Sequence, residues 1–244
     1  ETLESAERTR LVYRVAHCVA ARVPLVAGVS AANAADAAAH VHQAHALGAA
    51  AVMAVAPSAF ASEKAAIRDY YARIAEVGVP VILQNAPPPA GCALSAEDVI
   101  ELVRTIDGVR YVKEETMPCG QRISQILAAQ LPALAGVFGG AGGRYITDEL
   151  ARGACGTMPA CELTDLHARQ FALHRAGDVD GVRILYYRML PLLNFQAVFR
   201  MAMTKEVLRM RGVIESIGVR AAGPQMDTGD RIELVTLLND IADL

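Results

Sequence analysis

Short β-rich runs alternate with longer amphipathic stretches along the first two-thirds of the chain, and this alternation constrains the fold more than any other feature. The β-rich runs lie at 25–29, 51–55, 79–83, 109–113, 134–138 and 156–158. The stretches with helical periodicity lie at 4–21, 34–47, 62–77, 95–106, 120–130 and 145–152. Strands that alternate with helices at a spacing of roughly 20 to 30 residues form right-handed βαβ units, so the pattern predicts a parallel sheet.

The helical last third of the chain and the number of strands decide between two parallel architectures. The helical stretches there lie at 163–176, 179–197, 204–211 and 227–244. A doubly wound sheet could hold six strands, but no G-x-G-x-x-G sequence follows an early strand. A (β/α)8 TIM barrel needs eight strands, and a chain that opens with a helix fits a barrel whose first two strands are missing. We therefore predict an α/β barrel portion at 1–162 and C-terminal helices at 163–244 packed on it, as one continuous domain.

Composition and charge exclude several classes of function. The net charge is −3 without a long basic cluster, so neither nucleic acid nor a membrane surface is expected as a partner. The most apolar stretch, 46–61, is too short to span a bilayer. Five cysteines without a C-x-x-C pair fit a reduced, cytoplasmic location. No metal site is expected, because the histidines lack the i, i+4 pairing that metal sites favour, and His167 is expected on the surface.

Lys113 is the residue best placed for chemistry. The chain has three lysines, Lys64, Lys113 and Lys205. Lys113 alone ends a β-rich run, and Glu114 and Glu115 follow it at the predicted hand-over from strand to loop. Burial against apolar walls would favour the neutral amine, which can attack a ketone and form a Schiff base. The alternative is a strand-end lysine that extends into solvent.

The predicted strand ends would meet at one mouth of a barrel. They lie at 28–30, 56–58, 84–87, 113–115, 139–143 and 158–160. One amine, several small residues and backbone-rich turns suit a compact site for a 2-oxo acid. The glycine run at 139–143 can present backbone N–H groups to an anion, although it lacks the G-K-[ST] of a P-loop. A plain tight turn is the alternative for that run.

Six motifs follow one another along the chain: R-V-P-L-V-A-G-V, V-A-P, V-P-V-I-L-Q-N-A-P, V-K-E-E, G-V-F-G-G and G-A-C-G-T-M-P. In this order they resemble the dihydrodipicolinate synthase / N-acetylneuraminate lyase family. The likeness extends over nearly the whole chain but lacks the family's first two barrel strands and the Gly-Thr-Thr-Gly-Glu-like loop expected just before Glu1. It implies Schiff-base chemistry on a 2-oxo acid, with the imine on Lys113, no other cofactor, and usually a homotetramer. Gly139, Gly140 and Met158 match family positions that line the substrate.

Departures from the family's motifs narrow the expected reaction. Gln84 occupies the position of the catalytic tyrosine in the family's Y-N-x-P motif, and we include it with Lys113 as a catalytic candidate. Pro89 replaces the carboxylate-binding arginine of the synthases, and Ser58 with Ala59 replaces their tyrosine pair. These three changes argue against lysine-pathway synthesis. Ser58 and Asn85 remain candidates for substrate binding.

Glutamine at the tyrosine position resembles a sugar-acid branch that includes 2-keto-3-deoxyarabonate dehydratases. We therefore predict dehydration of a 2-keto-3-deoxy sugar acid through an imine on Lys113. The general base stays open among Glu115, Glu162, Ser58 and a water held by Gln84. Two alternatives remain: a pyruvate-dependent aldolase or dihydrodipicolinate synthase-like carbon–carbon lyase, and a non-catalytic ligand-binding relative.

Overall fold

A computed structural model describes residues 3–244 and contains the strands and helices that the sequence pattern predicts, with ends shifted by a few residues. The strands are β1 (Val26–Gly28), β2 (Ala51–Val55), β3 (Val81–Asn85), β4 (Val109–Glu114), β5 (Gly136–Gly139) and β6 (Gly156–Thr157). The helices are α1 (Ser5–Val19), α2 (Ala34–Ala46), α3 (Lys64–Ala75), α4 (Ala96–Thr105), α5 (Cys119–Ala128), α6 (Ile146–Ala151), α7 (Thr164–Arg175), α8 (Val179–Phe199), α9 (Met201–Met210) and α10 (Thr228–Asn239).

Strands β1 to β5 pair in parallel, each with the next along the chain. Their order does not reverse, as expected for successive βα units and unlike a doubly wound sheet. The prediction of a parallel α/β fold is therefore confirmed, while the eight-stranded barrel stays a prediction.

The chain packs into two compact units. The first comprises the described residues up to Gly139 together with Arg152–Cys155, and the second comprises Gly140–Ala151 and Gly156–Leu244. The predicted division at 162/163 stays a prediction.

Each unit has its own apolar core. In the first unit, strand residues such as Val52 and Leu83 are fully buried with Tyr71 and Ile74 of α3. In the second unit, Met189 of α8 lies in a core formed with residues of α9 and α10. None of the helices within residues 3–244 is long and apolar enough to cross a membrane.

The end of β3 differs from its prediction in a way that matters for the site. The strand runs over Val81–Asn85 rather than 79–83, so it starts just after Pro80, which has no N–H to donate to a ladder. Its last two residues, Gln84 and Asn85, pair with Lys113 and Glu114 of β4. Successive strand residues face opposite sides, so the two strand ends present one pair on each face.

Candidate active site

One face of the β3–β4 ends joins Lys113, Gln84 and Glu115. The Lys113 residue is 8% exposed, and its Nζ lies 3.4 Å from Glu115 Oε1. The Gln84 side chain donates from Nε2 to Glu115 Oε2 at 2.6 Å. The two carboxylate oxygens of Glu115 therefore contact different partners, the amine and the amide. The sequence argument for a neutral amine rests on apolar walls around Lys113, and the structure adds this ion pair with Glu115.

The opposite face joins Asn85 and Glu114, both of which are buried. The Asn85 amide donates to both Glu114 oxygens, at 3.1 and 2.9 Å, and to the Leu94 carbonyl at 3.0 Å. Its oxygen accepts from the Leu94 N–H at 2.8 Å. Burial raises the pKa of the Glu114 carboxyl, and the hydrogen bond from Asn85 opposes that rise. The predicted contact between Asn85 and substrate stays a prediction, and its amide is already engaged within the protein.

Ser58 begins a short 3-10 turn after β2 and lies beside a cavity of about 460 Å³ in the first unit. Arg8, Ser30, His40 and Val55 also line this cavity. Within the part of the chain that the structure describes, the residues that line it do not include Lys113 or Gln84. The structure therefore joins Gln84 and Lys113 through Glu115, whereas Ser58 lines a cavity that neither of them lines. Its role in substrate binding stays a prediction.

The three remaining substrate-binding candidates lie on strand ends and turns. Gly139 is the last residue of β5 in the first unit. Gly140 and Met158 belong to the second unit, where Met158 follows β6. The Gly143 N–H donates to the Gly140 carbonyl at 2.9 Å, so this amide serves a tight turn rather than an anion. Contacts of these residues with a substrate stay a prediction.

His167 shows why the glycine turn needs Gly143. The expectation that His167 lies on the surface is wrong: the residue is buried in α7. Gly143 has φ of +81°, and a Cβ there would lie 2.6 Å from His167 Cε1. Burial lowers the pKa of the His167 imidazole to about 4. The histidine was misassigned because a helical position alone does not reveal which neighbour covers it.

Glu162, one of the candidate bases, is buried in the second unit. Its Oε2 accepts a hydrogen bond from Thr204 Oγ1 of α9 at 2.9 Å, and burial raises the pKa of its carboxyl. Among residues 3–244, no group of three or more His, Cys, Asp or Glu side chains is arranged to hold a metal ion.

The parallel α/β sheet thus brings a lysine, a carboxylate and an amide together at the ends of two adjacent strands. The chain belongs to the dihydrodipicolinate synthetase family, whose model matches residues 1–240. Proteins of this family are synthases and dehydratases of the lyase class, and this chain is an enzyme of that class.

Two named relatives indicate the reactions found within the family. The chain is 30% identical over 236 residues to an L-2-keto-3-deoxyarabonate dehydratase of Azospirillum brasilense, a match that covers 95% of this chain and 76% of that protein. It is 27% identical over 229 residues to a 4-hydroxy-tetrahydrodipicolinate synthase of Methanopyrus kandleri, covering 92% and 73%. A dihydrodipicolinate synthase structure from Rhodopseudomonas palustris matches with a TM-score of 0.89 at 25% identity, covering 98% of this chain and 81% of that one.

Proposed function

We propose that this protein is a lyase that removes water from a small 2-keto-3-deoxy sugar acid through an imine on Lys113. One observation carries the proposal: the Glu115 carboxylate lies between the Lys113 amine and the Gln84 amide. The similarity to an L-2-keto-3-deoxyarabonate dehydratase supports this choice of substrate class.

In the first step, Glu115 takes a proton from the Lys113 ammonium, and the neutral amine adds to the C2 carbonyl carbon. The resulting carbinolamine loses its hydroxyl as water, with a proton returned from Glu115. This leaves an iminium on Lys113 Nζ. The 3.4 Å separation between Nζ and Oε1 supports Glu115 as the proton acceptor.

In the second step, the iminium withdraws electrons from C2 and acidifies the C3 proton. Glu115 removes that proton to form an enamine, whose electrons expel the C4 hydroxyl as a second water with the same proton. Water then hydrolyses the unsaturated iminium, which restores Lys113 and releases the product. The balance is the net loss of one water, so Lys113 and Glu115 suffice and no further cofactor is required.

Gln84 orients Glu115 in this scheme. Its amide cannot exchange protons as a phenol can, but it holds Oε2 at 2.6 Å and leaves Oε1 directed to the lysine. Geometry favours Glu115 over the other candidate bases. The Glu162 carboxylate accepts a hydrogen bond from Thr204, and Ser58 lines a cavity that Lys113 does not line.

An aldolase that cleaves or joins carbon–carbon bonds with pyruvate would use the same imine, and the synthase relatives favour it as the second candidate. Membership of an enzyme family disfavours the non-catalytic alternative. We also expect a homotetramer and a cytoplasmic location.

Borohydride trapping tests the imine, and the scarcity of lysines makes the test sharp. The protein is reduced with borohydride in the presence of pyruvate or a 2-keto-3-deoxy acid, and the adduct is located by peptide mass. We expect the adduct on Lys113, no adduct in Lys113→Arg, and an unchanged adduct in Lys64→Arg, whose side chain is 79% exposed. An adduct that persists in Lys113→Arg would contradict the proposal.

Product analysis then separates the two candidate reactions. Dehydration conserves the carbon number of the substrate, whereas retro-aldol cleavage releases pyruvate and an aldehyde. Pyruvate as the main product would replace the dehydratase assignment with the aldolase.

A further inference from the structure

The buried face of the β3–β4 ends carries more contacts than strand pairing requires. The backbone ladder already joins the strands there, since the Glu115 N–H donates to the Asn85 carbonyl at 2.9 Å. On the side chains, the Thr116 N–H donates to Glu114 Oε1 at 2.7 Å, and Arg122 Nε of α5 lies 3.4 Å from the same oxygen. With the Asn85 amide, the Glu114 carboxylate is held by groups from β3, α5 and the segment after β4.

Asn85 links these contacts to the segment before α4. Its amide group meets the backbone of Leu94 through both a donor and an acceptor. Arg122 also donates to the Leu94 carbonyl. The segment before α4 and the ends of β3 and β4 therefore meet at the buried side chains of Asn85 and Glu114.

The pairing of β3 with β4 has a weak point that this pair can compensate. The register shifts between Val81 and Ile82: Val81 pairs with Val109, but Ile82 pairs with Tyr111. Beyond this irregularity, only the short segment from Ile82 to Asn85 defines which residues lie opposite each other. A slip of one residue would reverse the faces and turn Lys113 away from Gln84.

We propose that Asn85 and Glu114 form a register lock that positions Gln84, Lys113 and Glu115. In this assignment Asn85 is a positioning residue, and neither it nor Glu114 touches the substrate. This proposal concerns the same site as the proposed function, and the expected changes in kcat rest on that function. A misplacement of about 1 Å in a catalytic group can lower the rate about 100-fold, so loss of the lock should lower kcat by about 10-fold to 100-fold.

The sharpest variant is Asn85→Asp, because it places two carboxyl groups against each other. Two carboxylates at about 3 Å cannot both ionise, so one proton is shared and its pKa is raised. While the proton is present, an O–H donor replaces the amide and the register holds. As the pH rises through that raised pKa, the carboxylates repel and the register is released. We therefore expect Asn85→Asp to be active at acid pH and to lose kcat with rising pH.

Two further variants separate a lock from a merely structural role. Glu114→Gln sets an amide against the Asn85 amide and should lower kcat at every pH. The double variant Asn85→Asp with Glu114→Gln restores an amide–carboxylate bond with the donor on the other strand, so it should remove the pH-dependent loss and recover part of kcat. Tyr71→Phe is the control, since it removes buried hydrogen bonds to Ala54 and Ala56 near the end of β2 and should change stability without a new pH dependence.

The measurements are kcat and KM against pH, the unfolding midpoint, and hydrogen exchange of the Glu115 amide. Exchange of this amide reports the strand register and does not depend on catalysis. It therefore distinguishes failure of the lock from failure of the proposed function. Support requires that Asn85→Asp loses kcat and Glu115 protection in the same pH range and that the double variant restores both. Wild-type-like protection and kcat in Asn85→Asp, or a double variant as impaired as the single ones, would overturn the lock. Should Asn85→Asp not fold at any pH, Glu114→Gln decides: a loss of Glu115 protection beyond that of Tyr71→Phe supports the lock, and no such loss overturns it.

Discussion

The two faces of the β3–β4 strand ends use the same types of side chain in different ways. Each face has one amide from β3 and one carboxylate from the chain around the end of β4. On the face with Lys113, the carboxylate of Glu115 is only partly buried and contacts a titratable amine. On the face with Asn85, the carboxylate of Glu114 is fully buried and is held by an amide, a backbone N–H and a guanidinium.

Under the proposed function, this difference would separate a reactive face from a face that fixes geometry. A group that must exchange protons needs a partner that can give and accept them, and only the Lys113 face offers one. A buried carboxylate held by an amide, a backbone N–H and a guanidinium fixes geometry instead. Successive side chains of a strand point to opposite faces of the sheet, so adjacent residues can perform the two tasks.

We call the face with Lys113, Gln84 and Glu115 the reactive face and the face with Asn85 and Glu114 the rigid face. The largest effect is expected when the amine of Lys113 is removed from the reactive face. Lys113→Arg should lower kcat/KM for dehydration by at least about 1,000-fold, because arginine remains charged and cannot form the imine. Steady-state assays on a 2-keto-3-deoxy acid check this, with Lys64→Arg as the control for a lysine to arginine change. Activity retained in Lys113→Arg would mean that the two faces do not differ as described.

A smaller but still large effect is expected from the carboxylate on the reactive face. Glu115→Gln should lower kcat by about 100-fold to 10,000-fold, because the amide cannot accept the lysine proton or the C3 proton. Prolonged borohydride trapping with pyruvate at alkaline pH should still label Lys113, since bulk base can then deprotonate the amine. Glu101→Gln is a matched control, because Glu101 is an exposed carboxylate paired with Arg104. A wild-type kcat in Glu115→Gln would transfer the role of base to another group.

The amide on the reactive face should matter less than its carboxylate. Gln84→Met keeps the approximate length of the side chain but removes the hydrogen bond to Glu115 Oε2. We expect kcat to fall by about 10-fold, the equivalent of one lost hydrogen bond to a charged group. Pre-steady-state trapping should show that imine formation slows together with turnover. An unchanged rate would mean that Gln84 does not orient Glu115.

The smallest effect is expected from Glu114 on the rigid face, in how the free energy of unfolding of the protein depends on pH. Burial raises the pKa of Glu114 in the folded protein above its usual value of 4.5, so the folded state binds more protons than the unfolded chain in that range. The free energy of unfolding should therefore fall as the pH rises from about 4.5 through the raised pKa, by about 1.4 kcal/mol for each unit of pKa shift. Glu114→Gln should remove this component, which denaturant unfolding at several pH values can measure. An identical pH slope in both proteins would contradict the assignment.

Much of the site was predictable from the sequence, but its two faces were not. The lysine at a strand end, Gln84 in place of the family's tyrosine, and Glu115 as a candidate base all follow from local sequence and motif order. The sequence predicts that β3 ends at 83 and that Asn85 is a candidate for substrate binding, and it does not reveal the buried contacts of Asn85 with Glu114 and Leu94. Proline at the start of the strand moved its ends by two residues. Register is a property of two strands, so neither strand alone reveals which residues lie opposite each other.

The amino-acid sequence by itself determined the order of strands and helices, because hydrophobic periodicity and Gly or Pro punctuation are local properties. It also determined which residue types are available at the strand ends. Tertiary structure alone decided that Glu115 meets Gln84 while Glu114 meets Asn85, and that His167 lies against Gly143. The physical reason is that these contacts join residues distant in sequence, and their geometry depends on strand register and packing rather than on local pattern.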